Sequence, residues 1–289
     1  MGTSQSSKGP GSGVPMVPPW VPGVGGAEPP GGGGAAPGAD DSPESPGLAP
    51  AAVPPAVPLG PVPIAPPARF QGARRSLGDY ARSGDGRDMR RGVGRYVRSG
   101  YGGAATAARR FGGTASTADA LHGALSSVAA GQPAAPGSPL DPALLAGRSV
   151  QEVMDAVVEA VRPIDGTQDT EAARAAIRDA LADLLTRFPD ADLLNLEPDQ
   201  RSFAIERYAA NDVYRRFDLD VGQAIREKAP SATAALSRLK QVRDYVRETV
   251  AASFRRLRDA GRAITAGRVG QIVRDALRDT FEVFEGYAE

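Results

Sequence analysis

Ser149-Val150-Gln151-Glu152-Val153-Met154-Asp155-Ala156-Val157-Val158-Glu159-Ala160-Val161-Arg162-Pro163 carries a helix start, an apolar stripe and a stop in one short run. Ser149 with Glu152 three positions on is the pattern of a capping box, in which each side chain satisfies an amide otherwise left free at a helix N-terminus. Val150, Val153, Met154, Val157, Val158 and Val161 recur at spacings of three and four, which puts them on one helical face. Pro163 lacks an amide hydrogen and disfavours helical geometry in the residue before it, so the helix stops there.

The same grammar continues towards the C-terminus. Asp169 or Thr170 can cap a second helix whose Ala173, Ala176, Ile177, Leu181, Leu184 and Phe188 form a face that ends at Pro189. Pro198 suits the first turn of a third, carrying Phe203, Ile205, Tyr208, Val213 and Phe217. Residues 221–228 predict a shorter helix stopped by Pro230. Residues 231–260 predict the longest, with a face on Ala235, Leu239, Val242 and Val246 widened by Leu236 and Tyr245, and Gly261 as its end. A last helix follows on Val269, Ile272, Val273, Leu277, Phe281 and Phe284. Strand patterns are nearly absent. Each stripe must be buried against another, so residues 149–289 are expected to form an all-α helical bundle domain of five or six principal helices.

Working the other way, residues 69–148 are rich in glycine and arginine. Between positions 69 and 110 stand eleven arginines against Asp79, Asp85 and Asp88, a local excess of positive charge that the zero formal charge of the whole chain hides. Short helices are expected at 90–98, 104–110 and 117–128, interrupted by Gly102-Gly103 and Gly112-Gly113. This partly helical segment is expected to be ordered by packing on a partner or on the helical domain. Residues 1–68 hold 18 of the 26 prolines together with runs such as Gly31 to Gly34. Proline removes backbone donors and glycine is entropically costly to order, so a disordered tail is expected there, containing a recognition peptide.

Several chemistries are excluded or unsupported. With no cysteine there is no disulfide, no thiolate nucleophile and no zinc site with cysteine ligands. His122 is the only histidine and has no motif around it. Glu152, Asp155 and Glu159 lie three and four apart and could face a hard cation together, but a solvated helix face accounts for them better. The glycine pairs lack the Gly-Lys-Ser/Thr of a phosphate loop. No catalytic residue, metal site or cofactor is expected, and no run of apolar residues is long enough for a membrane span. The expectation is a soluble, cytoplasmic protein.

The opening Met1-Gly2-Thr3-Ser4-Gln5-Ser6-Ser7-Lys8-Gly9-Pro10, then Val17-Pro18-Pro19-Trp20, and the later segment from Gly102 to Thr114 with its paired Arg109-Arg110 before Phe111, resemble the QatB family of the bacterial Qat anti-phage system. The resemblance implies a non-enzymatic subunit of a four-component defence complex. Its companions would be an ATPase, a TatD-like nuclease and QatC, a QueC-like protein related to the enzyme that builds the nitrile of 7-cyano-7-deazaguanine. It further implies that this chain is QatC's protein substrate and receives a deazaguanine-type group on Gly2 once Met1 is removed. Thr3 and Ser4 would be recognised beside it, with Trp20 as an anchor farther along and Arg109, Arg110 and Phe111 as further partner contacts.

Gly2 also has a chemistry of its own. A mature N-terminal glycine offers an unhindered α-amine with a pKa of about 8, so a minority is neutral and nucleophilic near neutrality. The bland alternative is simple methionine removal with nothing after it. The same start fits a myristoylation pattern with Ser6 at its last position, although one acyl chain binds membranes only marginally. Trp20 is either an anchor for a partner pocket or an incidental exposed ring. The basic, aromatic-studded stretch 69–110 supports an alternative function, a nucleic-acid-binding adaptor using phosphate contacts and stacking.

Overall fold

In the computed structural model, which describes residues 68–132, 135 and 137–289, the capping box at Ser149 forms as its spacing requires. The Glu152 amide donates to Ser149 Oγ at 3.3 Å, and the Ser149 amide donates to Glu152 Oε2 at 2.9 Å. The expectations for residues 1–67, including the tail and the contact residues Gly2, Thr3, Ser4 and Trp20, lie outside the described residues.

The described chain is all helical. The elements are α1 (Gln71–Ser83), α2 (Gly86–Arg95), a π-helical turn (Tyr96–Tyr101), α3 (Ala104–Arg110), α4 (Gly112–Ala129) and the short α5 (Pro142–Leu145). Then follow α6 (Val150–Val161), α7 (Gln168–Arg187), α8 (Pro198–Phe217), a second π-helical turn (Asp218–Gly222), α9 (Gln223–Lys228), α10 (Ala232–Asp259) and α11 (Val269–Glu285). Among the described residues there is no strand.

Helix α8 is the hub, packed by α7, α10 and α4. Of its predicted apolar stripe, Ile205, Tyr208, Ala209, Val213 and Phe217 are buried, while Phe203 is half-buried. Helix α11 bridges α10 to α3 and α4, and also reaches α2, while α1 pairs with α2 and α9. Ion pairs tie α6 to α7: Arg178 with Asp155 at 2.7 Å and Arg174 with Glu159 at 2.8 Å.

The bundle does not begin at position 149. Phe70, Leu77, Tyr80, Tyr96, Phe111 and Leu121 belong to the same buried cluster as Val157, Ile177, Tyr208, Val246 and Phe281. The segment is ordered by packing on the helical domain, one of the two expected ways, and Gly92 and Gly94 mark close approaches within it. A Cβ on Gly92 would meet the Leu77 side chain of α1 at 2.7 Å, and one on Gly94 would meet the backbone nitrogen of Ala288 at 2.5 Å. Only a residue without a side chain lets α2 lie this near its neighbours.

Several details differ from expectation. The cap of α7 is Thr167, whose Oγ accepts from the Thr170 amide at 3.2 Å, rather than Asp169 or Thr170. Gly112 and Gly113 are the first turn of α4 and do not interrupt helices. Val150 and Leu236 stand 56% and 70% exposed, so the stripes of α6 and α10 are narrower than the sequence pattern.

Candidate functional site

The two π-helical turns meet through one carboxylate. Asp220 Oδ2 accepts from Tyr96 Oη at 2.9 Å and from Tyr101 Oη at 3.0 Å. Arg74 adds a guanidinium bond of 2.8 Å to the Asp220 carbonyl. Burial, reinforced by the Asp220 charge, pushes the Tyr101 phenol up to about 12, and the fully enclosed Tyr96 phenol is raised in the same direction by burial, the neighbouring Tyr101 and Asp220. Both phenols therefore stay protonated and donate. A π turn displaces side chains from the helical register and is often found at functional positions. Here each turn aims a polar group at the other.

This clasp floors a cleft of about 350 Å³ lined by Arg69, Tyr101, Arg110, Gln168, Asp169, Arg216, Leu219 and Asp220. Its three guanidiniums are held differently. Arg216 sits on a buried relay: Thr114 donates to Asp212 Oδ2 at 2.5 Å, Asp212 accepts from Arg216 Nε at 3.2 Å, and Arg216 reaches Asp169 at 3.4 Å. Asp212 is fully enclosed, and burial raises its carboxyl against the opposing pull of Arg216. Arg69 lies over the Phe70 ring at 4.4 Å. Among the described residues neither Arg69 nor Arg110 has a carboxylate partner within ion-pair distance. Among the described residues the cleft thus presents two cations without a carboxylate partner, beside the Asp169 and Asp220 side of its wall.

The expected contact residues of α3 separate. Arg110 enters the cleft, whereas Arg109 lines a different groove with Arg274 and Arg278 of α11. Phe111 corrects the expectation: it is 1% exposed, with its ring centroid 5.0 Å from that of Phe281 and the Arg216 guanidinium 5.2 Å away. It is a core residue and offers no face to a partner. Of the aromatics of 69–110, Phe70, Tyr80 and Tyr96 are buried and cannot act as a stacking platform for bases, while Tyr101 is half-buried and lines the cleft.

The remaining candidates resolve into structural roles. Glu152 holds the cap and pairs with Arg148, and Asp155 and Glu159 are the ion pairs of the α6–α7 contact. Among the described residues no group of three or more acidic or histidine side chains could hold a metal ion. His122 approaches Ser126 Oγ at 3.4 Å, and burial lowers its affinity for a proton. No described helix is long and apolar enough to cross a membrane.

Sequence reasoning missed Tyr96, Asp212, Arg216 and Asp220. One signal was there to be used: Asp212 sits in the apolar stripe of α8, four residues after Tyr208 and four before Arg216. A carboxylate on a buried face demands a partner, and the arginine one turn on is in reach.

No curated protein and no solved structure matches this chain. A family model does match, over residues 102–284, a span that begins at the Gly102-Gly103 pair, takes in Arg110 and the clasp's Asp220, and leaves out α1, α2 and the first 101 residues. That model describes the Qat anti-phage system associated protein QatB, and because it covers more than half of the sequence, the chain belongs to the QatB family.

Proposed function

We propose that this chain is a non-catalytic subunit of the anti-phage system, held by a QueC-like partner to which it offers the α-amine of Gly2 as acceptor. The family match carries the defence role. The partner and the acceptor rest on the start Met1-Gly2-Thr3-Ser4 and on its resemblance to the family's N-terminus. The described domain is in keeping with a binding role: one polar cleft displays Arg69 and Arg110, which have no carboxylate partner among the described residues, beside the Tyr101 phenol bonded to Asp220. In this reading the helical domain is the handle and the N-terminal residues are the substrate. An amine of pKa about 8 needs no activation beyond desolvation in the partner's pocket to attack an activated carboxyl. The Qat ATPase and the TatD-like nuclease would assemble on the same complex.

Co-expression with the QueC-like partner, followed by intact-mass analysis and fragmentation of the N-terminal peptide, tests this. A nucleobase-derived adduct on Gly2 is expected, absent from Gly2→Pro, whose secondary amine is constrained, while the helical domain is unaffected. Free glycine on a chain recovered bound to an active, precursor-supplied partner refutes the acceptor role. A fatty-acyl mass would assign the amine to a membrane function instead.

A further inference from the structure

We infer that the exposed face of α11, together with the α10–α11 loop and the last turn of α10, is a track for single-stranded nucleic acid. The inference does not depend on the acceptor role of Gly2. Three cavities adjoin along this surface. The largest, about 680 Å³, has Phe188, Phe203, Glu206 and Arg258 in its lining. It shares Arg262, Ala263 and Ile272 with a second of about 340 Å³, which Arg268 and Gln271 also line. The third, about 230 Å³, is the groove of Arg109, Arg274 and Arg278, and the ion pair of Arg262 with Asp275 joins it to the second. Gln271, Arg274, Asp275 and Arg278 recur at spacings of three and four, so they share one face of α11. From Arg268 to Arg278 that face alone runs about 15 Å.

Charge is the first ground. Residues 255–278 carry seven arginines against Asp259 and Asp275, and no lysine. Among the described residues Arg258, Arg268 and Arg274, with Arg109 of α3 and Arg187 of α7, have no carboxylate within ion-pair distance. Helix stability accounts for Arg258, which stands in the last turn of α10 where a cation complements the dipole. It does not account for Arg268, at the start of α11, where a cation opposes the dipole and the first turn holds no acidic residue to offset it. A row of guanidiniums suits phosphate oxygens, which each planar fork can grip in pairs.

The wide cavity favours a nucleic acid strand over an acidic peptide. Phe188 and Phe203 are half-buried and edge to face, with centroids 5.6 Å apart, and the Arg207 guanidinium lies 5.0 Å from the Phe203 centroid. Unpaired bases stack on rings and guanidiniums of this kind. Asp199 and Glu206 line the same cavity and repel a peptide carboxylate as much as a phosphate, whereas the N–H groups of a base donate to such oxygens. The strand therefore lays its bases towards Phe203 and Glu206 and its phosphates along Arg258, Arg268 and Arg274. A duplex keeps its bases stacked inside and cannot use the rings.

Fluorescence anisotropy of a labelled oligothymidylate of about 12 nucleotides, titrated with the full chain over a range of salt, tests this. Contact with about four phosphates gives a slope of about −3 in a plot of log affinity against log salt. Arg268→Ala/Arg274→Ala should reduce that slope by about 1.4 in magnitude and weaken binding about tenfold at moderate salt. Should that variant disturb α11, Arg187→Ala/Arg258→Ala leaves the helix intact and should weaken binding equally. Arg69→Ala/Arg110→Ala, in the cleft at Asp220, should bind as the unaltered chain does. An abasic strand of the same length, with nothing to stack, should bind about fivefold more weakly or worse. No retention of the oligonucleotide at low salt, a slope unchanged in both track variants, or an abasic strand held equally well overturns the inference. So does a polyglutamate of equal charge that binds the track more tightly, which would assign it to an acidic protein.

Discussion

Phe111→Ala separates a core role from a contact role for a residue that the sequence places beside a basic pair. The ring is 1% exposed at the junction of α3 and α4, with centroid distances of 5.0 Å to Phe281 and 5.7 Å to Tyr101. Truncation removes a buried aromatic and leaves a cavity among three elements, a change that costs about 3–5 kcal/mol. It also strips the Arg216 guanidinium of the ring 5.2 Å from it, a contact worth roughly 0.5–2 kcal/mol where partly desolvated. Because the two losses overlap, a total of about 4 kcal/mol is expected. Arg110→Ala is the control: the side chain is exposed and makes no ion pair with a described residue, so a change within about 0.5 kcal/mol is expected.

Urea unfolding followed by far-ultraviolet circular dichroism measures both. With a slope of about 3 kcal/mol per molar for a domain of this size, the midpoint of Phe111→Ala should fall by more than about 1 M while that of Arg110→Ala stays in place. Indistinguishable midpoints for the two variants, together with loss of partner binding by Phe111→Ala alone, would refute the buried assignment and return the ring to an interface.

Other outcomes follow from the same packing. Gly94→Ala would set a Cβ 2.5 Å from the Ala288 nitrogen and 2.8 Å from the Phe284 carbonyl, and should lower the melting temperature by the equivalent of about 1–3 kcal/mol. Gly123→Ala inside α4 meets nothing within 4 Å and should raise it by about 0.5–1 kcal/mol. Leu239→Ala removes a side chain that is 6% exposed and should cost about 2–5 kcal/mol, whereas Leu236→Asp, at 70% exposed, should change stability by less than about 0.5 kcal/mol. Hydrogen bonds from Thr170 and Thr167 hold the Asp165 carboxyl down at about 2, below its ordinary 3.8, so its contribution to stability is present above the ordinary value and lost as pH falls through about 2. Asp165→Ala should accordingly flatten the acid limb of a plot of urea midpoint against pH over that window.

The helices from α6 onward are legible because their signals are local. A serine three residues from a glutamate closes its own box, and prolines at 163, 189 and 230 stop what precedes them without reference to the rest of the chain. What periodicity cannot supply is the width of a buried face, which depends on the neighbour: Leu236 extends the stripe of α10 in sequence, yet nothing covers it. Helix α1 left no clear stripe amid glycine and arginine, and the reason for Gly92 and Gly94 lies in Leu77 and Ala288, invisible until the chain is folded. The cleft was legible only at Arg110. Its clasp joins Tyr96 to Asp220 across 124 positions, and a π turn has no side-chain signature that spacing can detect.

Helix α11 is the last described helix to be synthesised, yet Phe281 and Phe284 cover surfaces contributed by some of the first. A ribosome adding about 5–20 residues per second leaves α3 waiting on the order of ten seconds for the helix that seals it. Through that interval the apolar flank of α3 and α4 has no permanent lid, and chaperones have their opportunity. The fold closes from its far end, so an enzyme that reaches the nascent N-terminus early acts on a chain whose interior is still open.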